Sequence, residues 1–335
     1  MAQKILVIQT AFIGDVVLAT AILEAIHQQN PAASISILVR KGNEALFNAH
    51  PYLDKVLVWD KKQNKYGNWL QLLFEIRKSQ FDAVINVQRY AATGLWTTLS
   101  GAKMKIGFDK NPFAFLFTNK IAHQAVGNGL HETERNHALL LPLGIFPNAK
   151  PALYPSAQDF KAVEGYQSAP YLCMAPASVW FTKQFPMHQW IQVLNSIPFE
   201  GPIYLLGGPG DKFLNDQIIQ TVQKNNLVNM AGRLSFLASA ALQKEAVLNY
   251  VNDSAPMHFA SAVNAPVAAI YCSTVPDFGY GPLSDTSFII ETKEALPCRP
   301  CGLHGKKQCP LKHFNCAETI RLEQIYQPLQ QVLHN

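Results

Sequence analysis

The chain has 335 residues, of which 48% are hydrophobic and 15% charged, and its formal net charge is +5. This composition excludes a disordered chain, and the mild, dispersed charge argues against a nucleic-acid-binding protein. At ~100–200 residues per domain, the length predicts two domains.

In the first half of the chain, short apolar runs alternate with helical patterns. The predicted strands are residues 4–8, 34–39, 55–58, 82–87 and 103–107. The predicted helices are residues 15–28, 43–49, 68–78, 91–99 and 132–141. Strand and helix alternating at this spacing predict a parallel sheet with helices on both faces.

Residues 146–170 are rich in proline and poor in apolar runs, which predicts a connection between domains. The alternation then restarts. The predicted strands are residues 171–175, 202–206, 228–230, 247–251 and 266–271, and the predicted helices are residues 187–196, 211–224, 235–242, 256–263 and 317–333. We therefore expect two α/β domains, residues 1–155 and 156–335, with a cleft between them and ligands beyond the carboxyl ends of the strands.

The apolar segments favour a cytoplasmic protein. The apolar run at residues 4–8 is not followed by the cleavage pattern of a secretory signal. The uncharged residues 254–276 are long enough to span a bilayer, but two prolines interrupt them, so a helix, a turn and a buried strand are expected. Cys173 and Cys272 lie in apolar runs and are expected to be buried.

Residues 10–17 join the first strand to the first helix, and Asp15 falls at the helix start. A carboxylate there stabilises the helix through its dipole, which is the structural interpretation. The functional interpretation is a general base at the edge of the cleft.

Three loops of the second half have the composition of anion sites. Residues 175–186 carry small and hydroxyl side chains with Lys183, and could hold a diphosphate or be an ordinary loop with a solvated lysine. The glycines before Asp211 permit close approach of a ligand or simply form a turn. Asp253 or Ser254 can cap the following helix, where His258 is either structural or a phosphate contact.

Four motifs in this order resemble glycosyltransferase family 9, the ADP-heptose:lipopolysaccharide heptosyltransferases, and above all its heptosyltransferase II group. They are Ile13-Gly14-Asp15, Thr182-Lys183-x-x-Pro186, Asp253-Ser254-x-x-Met257-His258 and Pro276-Asp277-Phe278. The resemblance implies a GT-B fold, with two Rossmann-like domains facing across a cleft. It also implies transfer of heptose, with inversion, from ADP-heptose to the inner core of lipopolysaccharide.

The same resemblance implies roles for individual residues. Asp15 matches the catalytic base, and Lys183 matches the lysine that binds the donor diphosphate. The other implied donor contacts are Ser178, Thr182, Asp253, Ser254, Met257, His258 and, at the ribose, Asp211. The first domain is implied to face the acceptor and the second to hold the sugar nucleotide. Since Lys183 and a helix dipole supply positive charge, no metal or cofactor is expected.

The sequence departs from the family pattern at Ala255, Gln184 and Cys272, where glycine, arginine and glycine are usual. If the backbone at Ala255 needs a positive φ, that residue is strained. Other donors, a sugar-nucleotide epimerase and a carbohydrate-binding protein without turnover remain alternatives.

Three further features have open interpretations. Cys298, Cys301, Cys309 and Cys316 form either a zinc site, free thiols with or without a disulfide, or a redox centre. Residues 112–117 are either core or an apolar contact to acceptor or membrane. Basic residues in the first domain are either solvated or bind the anionic acceptor and the inner leaflet of the inner membrane: Lys61, Lys62, Lys65, Arg77, Lys78, Arg89, Lys103, Lys105 and Lys110.

Overall fold

The computed structural model describes residues 2–124 and 126–334, which divide into two compact units between Tyr154 and Pro155. Each unit is built on one six-stranded parallel sheet. Within the described residues, no helix combines the length and apolar character needed to cross a membrane. The uncharged residues 254–276 instead form a helix, a turn and a buried strand, as predicted.

The first unit places its strands in the order β3-β2-β1-β4-β5-β6. They are β1 (Lys4–Ile8), β2 (Ser34–Arg40), β3 (Leu53–Trp59), β4 (Ala83–Asn86), β5 (Met104–Phe108) and β6 (Asn119–Ile121). Its α-helices are α1 (Ile13–Gln29), α2 (Lys65–Ser79), α3 (Ala91–Leu99) and α4 (Glu132–His137).

The second unit repeats the arrangement in the order β12-β11-β10-β7-β8-β9. Its strands are β7 (Leu172–Ala175), β8 (Ile203–Leu205), β9 (Leu227–Asn229), β10 (Leu248–Asn252), β11 (Val267–Tyr271) and β12 (Ser287–Glu291). Its α-helices are α5 (Ala157–Val163), α6 (Met187–Ser196), α7 (Lys212–Thr221), α8 (Phe236–Lys244), α9 (Ala255–Ala262), α10 (Asn315–Glu318) and α11 (Leu322–His334).

Most predicted elements are present, and the differences have local causes. The edge strands β6 and β12 were not predicted because they are short or partly exposed and lack a buried apolar run. The predicted connection contains α5, whose capping box pairs Ser156 with Asp159: each backbone amide donates to the other side chain. The predicted helix at 317–333 is instead two helices, α10 and α11.

Both sheets reverse their strand order at one point, between β1 and β4 in the first unit and between β7 and β10 in the second. The central strands are buried on both faces, which is why they read as apolar runs. In open parallel sheets of this kind, ligands bind beyond the carboxyl ends of the strands at such a switch point. The fold therefore singles out the loops after β1, β4, β7 and β10.

Asn252, the last residue of β10, fixes the loop of residues 176–186, here called the lysine loop. The side chain is fully buried. Its amide nitrogen donates to the carbonyl oxygens of Ala175 (3.2 Å) and Pro176 (2.8 Å), and its amide oxygen accepts from the backbone N–H of Phe185 (2.9 Å). One buried side chain thus ties both ends of the lysine loop to β10.

Replacing Asn252 with leucine removes these bonds and leaves the N–H of Phe185 without its partner. We expect the variant to lose about 2–4 kcal/mol of unfolding free energy, measured by urea titration.

Asn249→Leu is the matched control, because Asn249 is an equally buried asparagine of β10 that bonds Gln243 and Pro266 instead. Both variants should lose stability, but only Asn252→Leu should accelerate hydrogen exchange at Phe185. Equal exchange at Phe185 in the two variants contradicts this account.

Candidate active site

In the second unit, Lys183 and Asp253 form an ion pair at the switch point. The Lys183 Nζ lies 2.7 Å from the Asp253 Oδ2, and the two side chains are only 15% and 7% exposed. The hydroxyl of Thr274 donates to the same Oδ2 at 2.7 Å. An ammonium group has three N–H donors, so this pair leaves Lys183 able to donate to a second anion.

The pair forms because the lysine loop follows β7 and Asp253 follows β10, and these two strands are neighbours in the sheet. Helix α9 begins two residues after Asp253. Ser254 is its N-cap residue, but the Ser254 side chain does not cap the helix. The first amides of a helix form an anion site together with its dipole. Lys183 and the start of α9 can therefore hold a diphosphate.

Two of the predicted donor contacts are buried in packing. The Thr182 side chain is 1% exposed, and its hydroxyl oxygen accepts from the backbone N–H of Lys306 (2.7 Å) and the hydroxyl of Ser273 (2.9 Å). Met257 is fully buried, and its sulfur accepts from the Tyr271 hydroxyl at 3.4 Å. Both side chains are therefore used in packing within the second unit.

The remaining predicted donor residues differ in burial and in their hydrogen-bond partners. His258 is buried in α9, and Ser178 is half-buried in the lysine loop. The Ser254 hydroxyl donates to the carbonyl oxygen of Asn252 at 3.4 Å. Asp211 belongs to a separate loop, where its carboxylate accepts from the backbone N–H of Gly208 at 2.8 Å, so a turn-stabilising role accounts for that contact.

The three departures from the family pattern fit the structure. Ala255 is the first residue of α9, and it is not among the residues with positive φ, so the expected strain is absent. The Gln184 side-chain amide donates to the carbonyl oxygen of Ser178 within the lysine loop. Cys272 is fully buried, like Cys173, as predicted.

In the first unit, Asp15 is the third residue of α1, in the loop-to-helix junction that follows β1. The N-cap residue Phe12 makes no side-chain cap, and Asp15 is the acidic residue of the first turn. The helix dipole favours a carboxylate at this position. Helix α1 follows β1, so Asp15 lies in the loop-to-helix junction beside the switch point between β1 and β4.

A cavity of about 390 Å³ lies at the carboxyl ends of β1 to β4. It is lined by Thr10, Ala11, Phe12, Arg40, Trp59, Lys61, Lys65, Tyr90, Ala92 and Thr93. We call it the cationic pocket, since three of its side chains are basic. The sequence predicts Lys61 and Lys65 as candidate acceptor contacts but not Arg40. The position of Arg40 at the end of β2 is the feature of the sequence that could have indicated it.

Lys61 is held in this pocket by two contacts. Its Nζ donates to the carbonyl oxygen of Thr10 at 3.1 Å and lies 4.5 Å from the centre of the Trp59 ring. Burial, with smaller effects from Arg40 and Lys65, lowers the pKa of Lys61. Among the described residues, the pocket is lined by three basic side chains and no acidic one, so their positive charges repel one another. A bound anion relieves this repulsion, and the pocket therefore has the electrostatics of an anion site.

The structure also describes Arg77 and residues 112–117, two surface features with open interpretations. Arg77 donates to the carbonyl oxygen of Leu99, a structural contact. In residues 112–117, Ala114 and Phe117 are buried, but Phe115 is 71% and Leu116 48% exposed. The core interpretation is therefore wrong for Phe115 and Leu116.

The cysteine-rich segment, residues 298–316, contains four free thiols. Burial raises the pKa of the Cys316 thiol to about 12, which disfavours a reactive thiolate. Throughout residues 2–124 and 126–334, no group of three or more His, Cys, Asp or Glu side chains is placed to hold a metal ion.

Comparisons with known proteins agree with this fold. A curated relative, lipopolysaccharide heptosyltransferase 3 of Escherichia coli (strain K12), is 26% identical and aligns over 78% of this chain and 80% of its own. The crystal structure of a family 9 glycosyltransferase from Veillonella parvula DSM 2008 has a TM-score of 0.84 at 19% identity, covering 99% of this chain and 97% of that one. The structure of E. coli ADP-heptose lps heptosyltransferase II has a TM-score of 0.81 at 18% identity, covering 99% of both chains.

These structural similarities show a GT-B-like α/β fold, as the sequence predicted. The sequence model of "Glycosyltransferase family 9 (heptosyltransferase)" matches residues 69–314, which is most of the chain. The match spans the lysine loop, Asp253 and α9. The chain therefore belongs to glycosyltransferase family 9, the heptosyltransferases.

Proposed function

We propose that this family 9 transferase of lipopolysaccharide core synthesis moves heptose from ADP-heptose to the inner core, with inversion at the anomeric carbon. The observation that carries the proposal is the Lys183–Asp253 pair beside the start of α9. A lysine with unused N–H donors next to the positive end of a helix suits a diphosphate. Both features lie at the switch point, where a Rossmann-type sheet binds nucleotides.

In the proposed reaction, the Asp15 carboxylate takes the proton of an acceptor hydroxyl. The hydroxyl oxygen forms a bond to the anomeric carbon of heptose while the bond from that carbon to the ADP oxygen breaks. Attack from the side opposite to the leaving group inverts the configuration. ADP departs with one more negative charge, which Lys183 and the dipole of α9 stabilise.

We propose that this reaction uses neither metal nor cofactor. The positive charge of Lys183 and the dipole of α9 lie where a departing diphosphate needs stabilisation. Activity that is unchanged after treatment with a chelator is the result this part of the proposal expects.

On the acceptor side, the proposal assigns the cationic pocket to an anionic group of the core sugar, such as a phosphate or carboxylate. Arg40, Lys61 and Lys65 supply three positive charges in one cavity. The pocket occupies the carboxyl ends of the strands around β1, and Asp15 follows the same strand. An acceptor held there by its charge would present its hydroxyl near the switch point.

A peripheral contact with the anionic inner leaflet is a further part of the proposal. The basic residues of the first unit and the exposed Phe115 and Leu116 supply charge and apolar surface. Each basic side chain near such a membrane adds about 1 kcal/mol, screened by salt. We expect binding to vesicles of anionic lipid to weaken as salt rises. Salt-independent binding, or none, contradicts this part.

The base assignment predicts that Asp15→Asn lowers kcat by about 10²–10⁴-fold, because the amide cannot accept the proton. The measurement is ADP release from ADP-heptose, with and without a heptose-terminated inner-core acceptor. Release that depends on acceptor also separates a transferase from an epimerase or a sugar-binding protein.

Asp159→Asn is the matched control, because Asp159 is also a carboxylate in the first turn of a helix. Both variants lose a favourable dipole interaction of about 0.3–1 kcal/mol, and Asp159→Asn also weakens the capping box with Ser156. Only Asp15→Asn should lose turnover. Full turnover in Asp15→Asn leaves that residue with its helix-stabilising role alone.

The pocket assignment predicts that Lys61→Gln raises the KM for acceptor about tenfold while the affinity for ADP is unchanged. Since the pKa of Lys61 is lowered, wild-type acceptor binding should weaken with rising pH earlier than an ordinary lysine would allow. Lys62→Gln is the control, because the neighbouring Lys62 does not line the pocket. Equal acceptor KM values for the two variants would remove Lys61 from the acceptor site.

A further inference from the structure

The cysteine-rich segment packs directly against the lysine loop. The backbone N–H of Lys306 donates to the Thr182 hydroxyl oxygen at 2.7 Å, and the backbone N–H of Thr182 donates to the Lys306 carbonyl oxygen at 3.1 Å. These reciprocal bonds join residues 124 positions apart in the chain. Thr182 immediately precedes Lys183, so the contact fixes the backbone from which Lys183 extends.

The same segment is anchored to the loop that follows β11. Cys301 donates its backbone N–H to the Ser273 carbonyl oxygen at 2.9 Å, and the Arg299 guanidinium donates to the carbonyl oxygens of Cys272 (2.8 Å) and Thr274 (2.9 Å). Thr274 in turn donates to Asp253. One segment of the chain therefore contacts both Thr182, which precedes Lys183, and Thr274, which bonds Asp253.

At Gly305 the lysine loop leaves no free space for a side chain. The φ of Gly305 is +75°, and a Cβ there would lie 3.0 Å from the Lys183 Cγ, 3.1 Å from the Trp180 Cβ and 3.2 Å from the Thr182 Oγ1. Gly302 lies in the same segment with a φ of +98°, but a Cβ on it would meet nothing within 4 Å. The two glycines share the strained backbone region, and only Gly305 has its side-chain space taken by the lysine loop.

We propose that the cysteine-rich segment positions Lys183 for the donor diphosphate, with Gly305 and Thr182 as its positioning residues. The inference rests on the proposed function, in which Lys183 binds that diphosphate. It changes the role of Thr182: the hydroxyl oxygen of this motif residue accepts hydrogen bonds from Lys306 of the segment and from Ser273. It also gives the segment a function that requires no metal.

The first test compares Gly305→Ala with Gly302→Ala by calorimetric titration with ADP. Both variants place alanine at a positive φ, but only Gly305→Ala displaces the base of the Lys183 side chain. We expect Gly305→Ala to weaken ADP binding about tenfold and Gly302→Ala to bind like wild type. In turnover, Gly305→Ala should raise the KM for donor and leave the KM for acceptor unchanged.

A second pair of variants isolates the hydroxyl. Thr182→Val removes the acceptor of the Lys306 amide, whereas Thr182→Ser keeps it. We expect Thr182→Val to lose ADP affinity and to accelerate hydrogen exchange at Lys306, and Thr182→Ser to restore both.

The outcomes separate this inference from the proposed function. If the wild type binds ADP and the two glycine variants bind it with equal affinity, the positioning role is overturned and the proposed function is left intact. Absence of ADP binding in wild type, with Lys306 exchange still dependent on the Thr182 hydroxyl, overturns the diphosphate site and with it the role assigned here. Loss of ADP affinity in Thr182→Val that serine does not restore also contradicts the inference.

Discussion

Two opposite charges, Lys183 and Asp253, are held almost out of water at the switch point of the second sheet. Removing such charges from solvent costs several kcal/mol per ion, which is recovered only with close geometry and further hydrogen bonds. The structure supplies both, through a 2.7 Å contact and a second donor, Thr274. The lysine loop, the end of β10 and the loop after β11 must therefore keep their positions for the pair to exist.

The surrounding residues can be understood from this requirement. Asn252 ties both ends of the lysine loop to β10, and Thr182 receives the cysteine-rich segment from the other side. Neither side chain needs to touch a ligand to matter for binding one. A diphosphate arriving at α9 would meet a lysine whose backbone and carboxylate partner are already fixed, so little ordering remains to be done on binding.

The first unit uses the same strand order for different chemistry. Its switch point carries a first-turn carboxylate, Asp15, and a pocket with three basic side chains. A carboxylate and a cationic pocket suit an anionic acceptor and its deprotonation, whereas the second unit has the lysine and helix start that suit a leaving diphosphate. In the proposed function, one topology, repeated with different loops, supplies the two halves of a transfer reaction.

Local patterns predicted the fold well, because buried parallel strands such as β1 and β7 read directly as apolar runs. They also singled out the loops that carry Asp15, Lys183 and Asp253, whereas the roles predicted for these residues came from the family resemblance. They did not reveal Asn252, Arg40 or Gly305 as part of a site. Those roles depend on contacts between distant parts of the chain: Asn252 meets Phe185, 67 residues away, and Gly305 meets Lys183. Such contacts exist only once the sheet has brought the loops together.

In the proposed site, Lys183 binds the donor diphosphate while Asp253 holds the lysine in place. A crystal structure of the protein with ADP tests it most directly. The account predicts a phosphate oxygen about 3 Å from the Lys183 Nζ, with the phosphates at the start of α9 and the Asp253–Thr274 hydrogen bond retained. ADP bound with its phosphates away from Lys183 and α9 would contradict it.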